Sequence, residues 1–174
     1  MEPAGVVILT DSAAFDRISV EDIVALTKAA TDSTFYRDDL TPAQLGRNRD
    51  IVAISGETAR AAAANDHQNF AAALVDGSLA GFVVSTRHGP GDHELDWLMV
   101  RPEHHGGDVA PALMAHGMDW LGSDKPMWLT VIRFNERAIR FYRRYGFEIE
   151  PGPGLPSPHT NWIMRRVPAS GASS

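Results

Sequence analysis

The sequence feature that most constrains the fold is a strand, a helix and a second strand in close succession between residues 93 and 132. HELDWLMV and MWLTVI are apolar runs of strand length, and residues 110–121 between them have the pattern of a helix. This order predicts a right-handed crossover between parallel strands. The glycine-rich turn EHHGGD then lies at the carboxyl end of a strand and the amino end of a helix, where α/β proteins bind anions.

Further strands are predicted on both sides of this unit. Residues 70–75 (FAAALV) and 79–87 (LAGFVVSTR) flank the turn Asp76-Gly77-Ser78, and Asp-Gly between apolar runs is a strong hairpin signal. Alternation along HELDWLMV places Leu95, Trp97 and Met99 on one face of that strand and the residues between them on the other. Shorter strands are predicted over residues 6–10, 147–150 and 160–166.

Capping patterns predict the helices of the N-terminal third. Ser19 with Asp22 resembles a capping box, and Thr41 with Gln44 repeats the pattern with a proline at the first helical position. The alanine-rich residues 56–64 predict a third, separate helix, because alanine loses no side-chain entropy in a helix. A last helix is predicted over residues 135–145, with an apolar stripe at spacings of three and four and a glycine after it.

Composition limits the class of protein. A chain of 174 residues, 44% of them hydrophobic, suits one domain, which we place at residues 1–167 with a disordered tail over residues 168–174. The lack of cysteine excludes thiolate chemistry, and the net charge of -6 argues against broad nucleic-acid binding. No apolar run reaches the ~18–20 residues of a membrane span, and the first ten residues do not resemble a signal peptide. We therefore expect a cytoplasmic protein without nucleic-acid or membrane partners.

Three segments, taken together, resemble a known family. The first is LMVRPEHHGGDVAPALM, a strand that ends in Val-x-Pro before a glycine-rich turn and a helix. The second is the strand WLTV with Asn135, Ala138 and Tyr142 after it, and the third is Tyr145-Gly146-Phe147. On these residues the chain resembles the GCN5-related N-acetyltransferases, the GNAT family, over about residues 70–166.

The resemblance implies both a fold and a reaction. The fold is α/β (α+β), with a mixed and mostly antiparallel sheet that has a central parallel strand pair and is flanked by helices. The reaction moves an acetyl group from acetyl-CoA to a primary amine by direct attack, without a metal. Leu98, Met99 and Val100 would bind acetyl-CoA, and backbone N–H groups near Met99 and Val100 would meet the oxyanion, at the place where the family's strand bulges.

The resemblance assigns pyrophosphate binding to a turn whose sequence departs from the family pattern. The turn comprises His105, Gly106, Gly107, Asp108, Val109 and Ala110. His105 stands where the family has arginine or glutamine, and Asp108 replaces the central glycine. Two interpretations of Asp108 are open: its carboxylate repels the pyrophosphate, or it caps the helix by accepting N–H bonds at the first turn. Pyrophosphate binding and capping can coexist if the side chain turns away from the ligand and only the backbone meets the pyrophosphate.

Catalytic roles also follow from the resemblance. Glu94 matches the place of a glutamate base in some family members, with Asp96 as the alternative base, and a solvated carboxylate is the other interpretation of Glu94. Tyr142 matches the family's general acid, although it could also be a core residue. Because a phenol of pKa ~10 protonates a thiol of pKa ~8.5 only uphill, we expect Tyr142 mainly to donate a hydrogen bond to the thiolate. Asn135 either binds the pantetheine arm or caps its own helix.

Other functions stay open at this stage. The alternatives are a catalytically inactive GNAT-like module that binds a ligand or a partner, and a transferase that uses another acyl-CoA. A P-loop is excluded because neither Lys-Ser nor Lys-Thr follows the turn. A metal site matches no established spacing; its candidates would be His88, Asp92, His93, His104 and His105.

The acceptor is the part that the sequence describes least. The resemblance implies that residues 18–49 and 151–159 line the acceptor groove, and Glu94 and Asp96 favour a cationic amine. Four arginines crowd the last helix and either approach the 3′-phosphate of the coenzyme or form a solvated surface: Arg137, Arg140, Arg143 and Arg144. Formation of a homodimer is left open.

Overall fold

A seven-stranded sheet forms the centre of the computed structural model, which describes residues 5–152 and 161–168. The strands are β1 (Val7–Thr10), β2 (Gln68–Val75), β3 (Ser78–Gly89), β4 (Asp92–Val100), β5 (Met127–Ile132), β6 (Glu148–Ile149) and β7 (Asn161–Arg166). Their order across the sheet is β1-β2-β3-β4-β5-β7-β6. Neighbouring strands are antiparallel except for β4 and β5, which are parallel. The predicted mixed sheet with a central parallel pair is therefore confirmed. Apart from Pro168, the predicted tail lies outside the described residues, as does most of the 151–159 loop.

Five helices flank this sheet in the described residues. They are α1 (Asp11–Ala14), α2 (Val20–Phe35), α3 (Pro42–Ala63), α4 (Val109–Leu121) and α5 (Glu136–Arg143). Both predicted capping boxes are present: the Ser19 hydroxyl accepts the Asp22 N–H at 3.1 Å, and Thr41 accepts the Gln44 N–H at 3.2 Å. None of the helices in the described part of the chain is long and apolar enough to cross a membrane.

The prediction of a separate helix over residues 56–64 is wrong, because those residues continue α3. Gly56 is not a break in the helix but the point where α3 meets the start of α2. A Cβ added there would lie 2.4 Å from Val20 Cγ1 and 2.5 Å from the Val20 carbonyl oxygen. Glycine is needed at this position for close packing of the two helices, and the helix runs through it despite the low helix propensity of glycine.

The two faces of the sheet carry separate hydrophobic clusters. Helices α4 and α5 pack on one face, through Leu113 and Met114 of α4 and Ile139 of α5. Helices α1, α2 and α3 pack on the other face, around Phe70 and Phe82. The sheet is thus a middle layer between two helical layers, and we call its two sides the α4 face and the α2–α3 face.

A β-bulge in β4 changes which side chains share a face. Val84 pairs with Asp96 and Phe82 with Met99, so that two β4 residues oppose the one β3 residue between them. Trp97 takes up the irregularity with a φ of 48°. The predicted grouping of Leu95 with Trp97 and Met99 is therefore wrong: Leu95 packs on the α4 face, whereas Trp97 and Met99 pack on the α2–α3 face. Strict alternation fails because the bulge inserts one extra residue.

Candidate active site

A cavity of about 860 Å³ lies where β4 and β5 part. In the described residues the two strands share one register pair, Glu94 with Trp128, near the start of each strand. Beyond this pair, residues 95–100 of β4 and 130–132 of β5 line the cavity. There the two strands are no longer paired by backbone hydrogen bonds. An extended molecule with amide groups can therefore pair with the strand backbone inside the gap.

The glycine-rich turn lies beside this gap. It begins after a short 3₁₀ turn at Pro102–His104, and Gly106 adopts a φ of 79°, which glycine accepts without strain. Arg101 holds the turn against β3, since its backbone N–H and its Nε donate to the carbonyl oxygens of Ala80 at 2.9 Å and Leu79 at 2.8 Å. The turn residues that line the cavity are His105, Gly106, Gly107 and Ala110.

Asp108 and Val109, which the resemblance assigned to the pyrophosphate, are not among the residues that line the cavity. Val109 is buried in the cluster of the α4 face. Asp108 is exposed and occupies the N-cap position of α4, but its side chain accepts no capping hydrogen bond. The interpretation of Asp108 as a side-chain cap is therefore wrong, because its φ of -91° and ψ of -9° are helical rather than extended. Helix α4 presents its N-terminus to the cavity without a capping carboxylate.

Two carboxylates line the cavity: Asp96 on β4, and Glu136 on α5, which is paired with Arg140 at 3.9 Å. The position of Asp96 opposite Val84 places it on the α2–α3 face, at the point where β4 bulges. Burial raises the pKa of Asp96 to about 7, with a smaller contribution from the neighbouring charge of Glu94. A carboxyl group with such a pKa exchanges protons near neutral pH, as a general base must.

Glu94 has a different environment although it lies two residues away on the same face. It is not among the cavity-lining residues, and its Oε1 lies 2.8 Å from His88 Nε2. The His88 ring stacks on Trp128 with 5.9 Å between centroids, and Trp128 Nε1 donates to Asp92 Oδ1 at 2.7 Å. Glu94 thus belongs to a polar cluster beside the cavity, and its role as a base stays a prediction.

Tyr142 both packs in the core and lines the cavity. Its ring meets Phe141 and Phe147 edge-on, with centroids 5.6 Å and 6.1 Å away, and 8% of the residue is exposed. Burial raises the pKa of Tyr142 well above its usual range, and the charge of Asp96 adds to this. The phenol therefore stays protonated over the physiological range and can act as a hydrogen-bond donor.

Asn135 caps α5, since its Oδ1 accepts the Ala138 N–H at 3.1 Å. The residue also lines the cavity, so its side-chain amide nitrogen is the group that can reach a ligand. Of the four α5 arginines, Arg137 and Arg144 line the cavity. Arg140 and Arg143 instead form surface ion pairs with Glu136 at 3.9 Å and Glu148 at 3.6 Å.

The comparison with known families adds the decisive observation. The sequence model of the acetyltransferase (GNAT) family matches residues 32–147, which is more than half of the chain. The chain belongs to this family.

Individual relatives agree with the family. The chain is 40% identical over 78 residues to an uncharacterised N-acetyltransferase of Mycobacterium tuberculosis, covering 42% of this chain and 49% of that protein. It is 33% identical over 85 residues to streptothricin acetyltransferase of Streptomyces lavendulae, covering 47% and 45%. The chain thus spans about half the length of the curated relatives it matches. A PaiA N-acetyltransferase of Thermoplasma acidophilum, solved with coenzyme A, has the same fold with a TM-score of 0.71 at 19% identity, over 94% of this chain and 99% of that one.

The resemblance assigned residues 18–49 to the acceptor groove, and residues of that range do line the cavity, but sequence reasoning singled out none of them. Arg37, in the connection after α2, and Arg47, on α3, line the cavity together with Phe134, which follows β5. The Arg37 guanidinium lies 4.3 Å from the centroid of the Phe134 ring. Only Phe134 carried a sequence signal, an aromatic residue directly before the helix cap Asn135.

The cavity thus brings together a carboxyl group, a phenol and the N-terminus of a helix. Asp96 and Tyr142 interact electrostatically at the gap, and the turn brings a helix N-terminus to its edge. In the described residues no cluster of three or more histidine, aspartate or glutamate side chains can hold a metal ion.

Proposed function

We propose that this GNAT protein transfers the acetyl group of acetyl-CoA to the nitrogen of a primary amine. The observation that carries the proposal is the parting of β4 and β5 beside Asp96 and Tyr142. In this reaction the amine nitrogen attacks the thioester carbonyl carbon, and the carbon–sulfur bond then breaks. Before attack the bound ammonium gives one proton to Asp96, which releases it to solvent. As the carbon–sulfur bond breaks, the second proton lost from nitrogen passes to Asp96, and coenzyme A leaves as a thiolate that accepts a hydrogen bond from Tyr142.

Binding of the donor is supported by the walls of the gap. The pantetheine amides of acetyl-CoA would pair with the backbone of β4 at Leu98, Met99 and Val100, as an added strand pairs with a sheet edge. The pyrophosphate would lie at the N-terminus of α4, where free N–H groups and the helix dipole favour an anion. The relative from Thermoplasma acidophilum was solved with coenzyme A, which supports the same ligand here.

We assign the base to Asp96 rather than to Glu94. A protonated alkyl amine has a pKa near 10, so proton removal must accompany or precede attack. Asp96 lines the cavity and its pKa of about 7 makes it half ionised at neutral pH, whereas Glu94 is engaged by His88. The contribution of such a base is typically ~10²–10⁴-fold in rate.

Tyr142 is assigned as the hydrogen-bond donor to the leaving thiolate. Its raised pKa makes full proton transfer to sulfur less favourable than for an ordinary phenol, because the phenolate would be buried. A donated hydrogen bond stabilises the developing negative charge without that cost.

The acceptor is proposed to be a small amine in the cytoplasm. The relative from Streptomyces lavendulae is named for a small molecule, streptothricin, which supports a small-molecule acceptor over a protein. The acidic side chain of Asp96 in the cavity favours a positively charged amine as the species that binds.

The test is release of coenzyme A in the presence of acetyl-CoA and a panel of primary amines. A thiol reagent reports this release directly because the chain has no cysteine. We expect amine-dependent release with one acetylated amine per thiol, measured by mass spectrometry, and no acetyl group on the protein itself. Acetyl-CoA binding without turnover on any amine would instead favour the inactive binding module, and an acetylated protein intermediate would contradict direct attack.

A further inference from the structure

We propose that the acceptor amine also carries a carboxylate, and that Arg47 binds this carboxylate. The inference rests on the proposed function, since it concerns the second substrate of the same site. It starts from two of the charges that the α2–α3 face contributes to the cavity: the carboxylate of Asp96 and the guanidinium of Arg47.

Both charges belong to the same side of the sheet. Asp96 pairs with Val84, whose side chain is part of the α2–α3 cluster, and Arg47 lies on α3 itself. The glycine-rich turn and α4 belong to the opposite face. A ligand that reaches Arg47 therefore approaches Asp96 from the acceptor side and not from the side of the pyrophosphate.

Arg47 is available to a ligand, in contrast to Arg37. The Arg37 guanidinium is already held by Asp39, with Nε 3.0 Å from Oδ1 and Nη2 3.4 Å from Oδ2, and it stacks on Phe134. Arg47 is exposed, and within residues 5–152 and 161–168 it forms no ion pair. An unpaired arginine that lines a cavity is suited to bind a carboxylate through two parallel hydrogen bonds.

The backbone that carries Arg47 is fixed in place. The next residue, Asn48, donates from Nδ2 to the carbonyl oxygen of Phe35 at 2.8 Å, which ties α3 to the end of α2. Around this hydrogen bond the cavity is lined by three apolar side chains, those of Phe35, Leu40 and Ile51, which lower the local polarity. An ion pair formed there is screened less than one on an open surface.

The arrangement is therefore complementary to a molecule with an ammonium group and a carboxylate. Asp96 takes the nitrogen end and Arg47 takes the carboxylate end, so that the acceptor enters the gap with its amine first. An anion on the coenzyme is the other ligand that Arg47 could meet, but the cavity-lining arginines of α5, Arg137 and Arg144, are separate candidates for that role.

The experiment compares amines that differ by one carboxylate. The wild-type protein is assayed for coenzyme A release with lysine and cadaverine, ornithine and putrescine, and phenylalanine and phenethylamine, with each amino acid also tested as its amide. We expect kcat/KM to be at least tenfold higher for the carboxylated member of at least one pair. Arg47→Ala should remove this preference by raising KM for the amino acid with little change in KM for acetyl-CoA, and Arg47→Lys should restore part of it. Arg49→Ala is the matched control, because Arg49 lies on the same helix, is exposed and is outside the cavity lining.

Each other outcome overturns the inference. Equal rates within every pair, or no acetylation of any carboxylated amine, would show that the acceptor needs no carboxylate. A rise in KM for acetyl-CoA in Arg47→Ala would assign Arg47 to the coenzyme. A calorimetric titration of acetyl-CoA on the same preparation distinguishes these results from failure of the proposed function. If acetyl-CoA binds and amines without a carboxylate are acetylated, the proposed function stands and only the role of Arg47 is lost. If acetyl-CoA does not bind, the proposed function and the role of Arg47 are both wrong.

Discussion

The two walls of the cavity differ in how they are built. The wall that we assign to the donor comes from one stretch of chain, the bulged end of β4, the turn after it and the start of α4, with α5 close by in sequence. The wall that we assign to the acceptor combines helix ends and loops from separate parts of the chain, around Phe35, Arg47 and Phe134. A local motif is therefore enough to identify the family. The residues that we expect to select the acceptor are brought together only by the packing of helices that are distant in sequence.

The largest effect is expected from removal of the proposed base, Asp96, which lies between the two walls. Asp96→Asn should lower kcat by at least ~100-fold on the best amine of the panel, because asparagine keeps the size of the side chain but cannot accept the proton of the amine. Glu94→Gln is the matched control and should change kcat less than about threefold, since Glu94 is engaged by His88 outside the cavity lining. Steady-state kinetics at pH 7.5 decide between the two carboxylates, and the reverse order of effects would restore Glu94 as the base.

The close packing behind the donor wall is tested at Gly81. A Cβ there would lie 2.8 Å from the Met99 carbonyl oxygen and 2.9 Å from Leu113 Cδ1, so Gly81→Ala must displace the bulged strand or α4. We expect a loss of about 1–3 kcal/mol in the free energy of unfolding, measured with urea. Gly46→Ala, in α3 with nothing within 4 Å, is the control and should be neutral or stabilising. Equal effects of the two substitutions would contradict the packing argument.

The raised pKa of Asp96 also predicts a pH-dependent cost in stability. Its pKa of about 7 in the folded protein lies above the ordinary value of 3.8, so ionisation opposes folding. The loss of folding stability caused by ionisation of Asp96 is absent below pH 3.8, grows between pH 3.8 and 7, and is complete above pH 7. Asp96→Asn should therefore stabilise the protein by about 1–3 kcal/mol at pH 8 and by much less at pH 5. Urea denaturation at the two pH values measures this, and a gain that is larger at pH 5 would have the wrong sign.

A smaller effect is expected from Tyr142→Phe. The ring packing stays, and the hydrogen bond to the thiolate is lost, so kcat should fall by roughly tenfold with KM for acetyl-CoA nearly unchanged. Because the pKa of Tyr142 is raised, the wild-type rate should show no loss from phenol ionisation up to pH 9. Full turnover by Tyr142→Phe, under conditions in which chemistry limits the rate, would leave Tyr142 with a packing role alone.

The smallest effect is expected from Asp108→Gly. Asp108 is exposed and outside the cavity lining, so its charge acts on the pyrophosphate mainly through water. At ~6 Å in a water-like dielectric the repulsion is about 0.7 kcal/mol, which corresponds to roughly threefold in Kd. Calorimetry at one ionic strength measures the change. If the wild-type protein did not bind acetyl-CoA and Asp108→Gly did, this single carboxylate would be what closes the donor site.

Most of the fold and of the donor wall could be predicted from sequence because their signals are local. The hairpin at Asp76-Gly77, the two capping boxes and the Asn135 to Phe147 spacing each depend on a few neighbouring residues. The error at Gly56 arose because close contact between α2 and α3, not a helix break, requires that glycine. The bulge at Trp97 changed the face assignments in β4, and its position depends on pairing with β3.

The resemblance gave the range of the acceptor wall, residues 18–49, but its individual residues could not be predicted for a related reason. Arg47 lies on a helix of ordinary polarity, and the packing of α3 against α2 is what singles it out at the cavity. The choice between Glu94 and Asp96 likewise depended on surroundings, since both lie on one face of one strand. Burial of Asp96 and the contact of Glu94 with His88 separate them, and neither is visible in the sequence.

The most direct test of the central claim is a calorimetric titration of acetyl-CoA into the wild-type protein. We expect one molecule bound per chain with micromolar affinity, because we assign the parted strands and the N-terminus of α4 to the donor site. Absence of binding at millimolar acetyl-CoA, with the protein folded, would mean that these elements do not form a donor site.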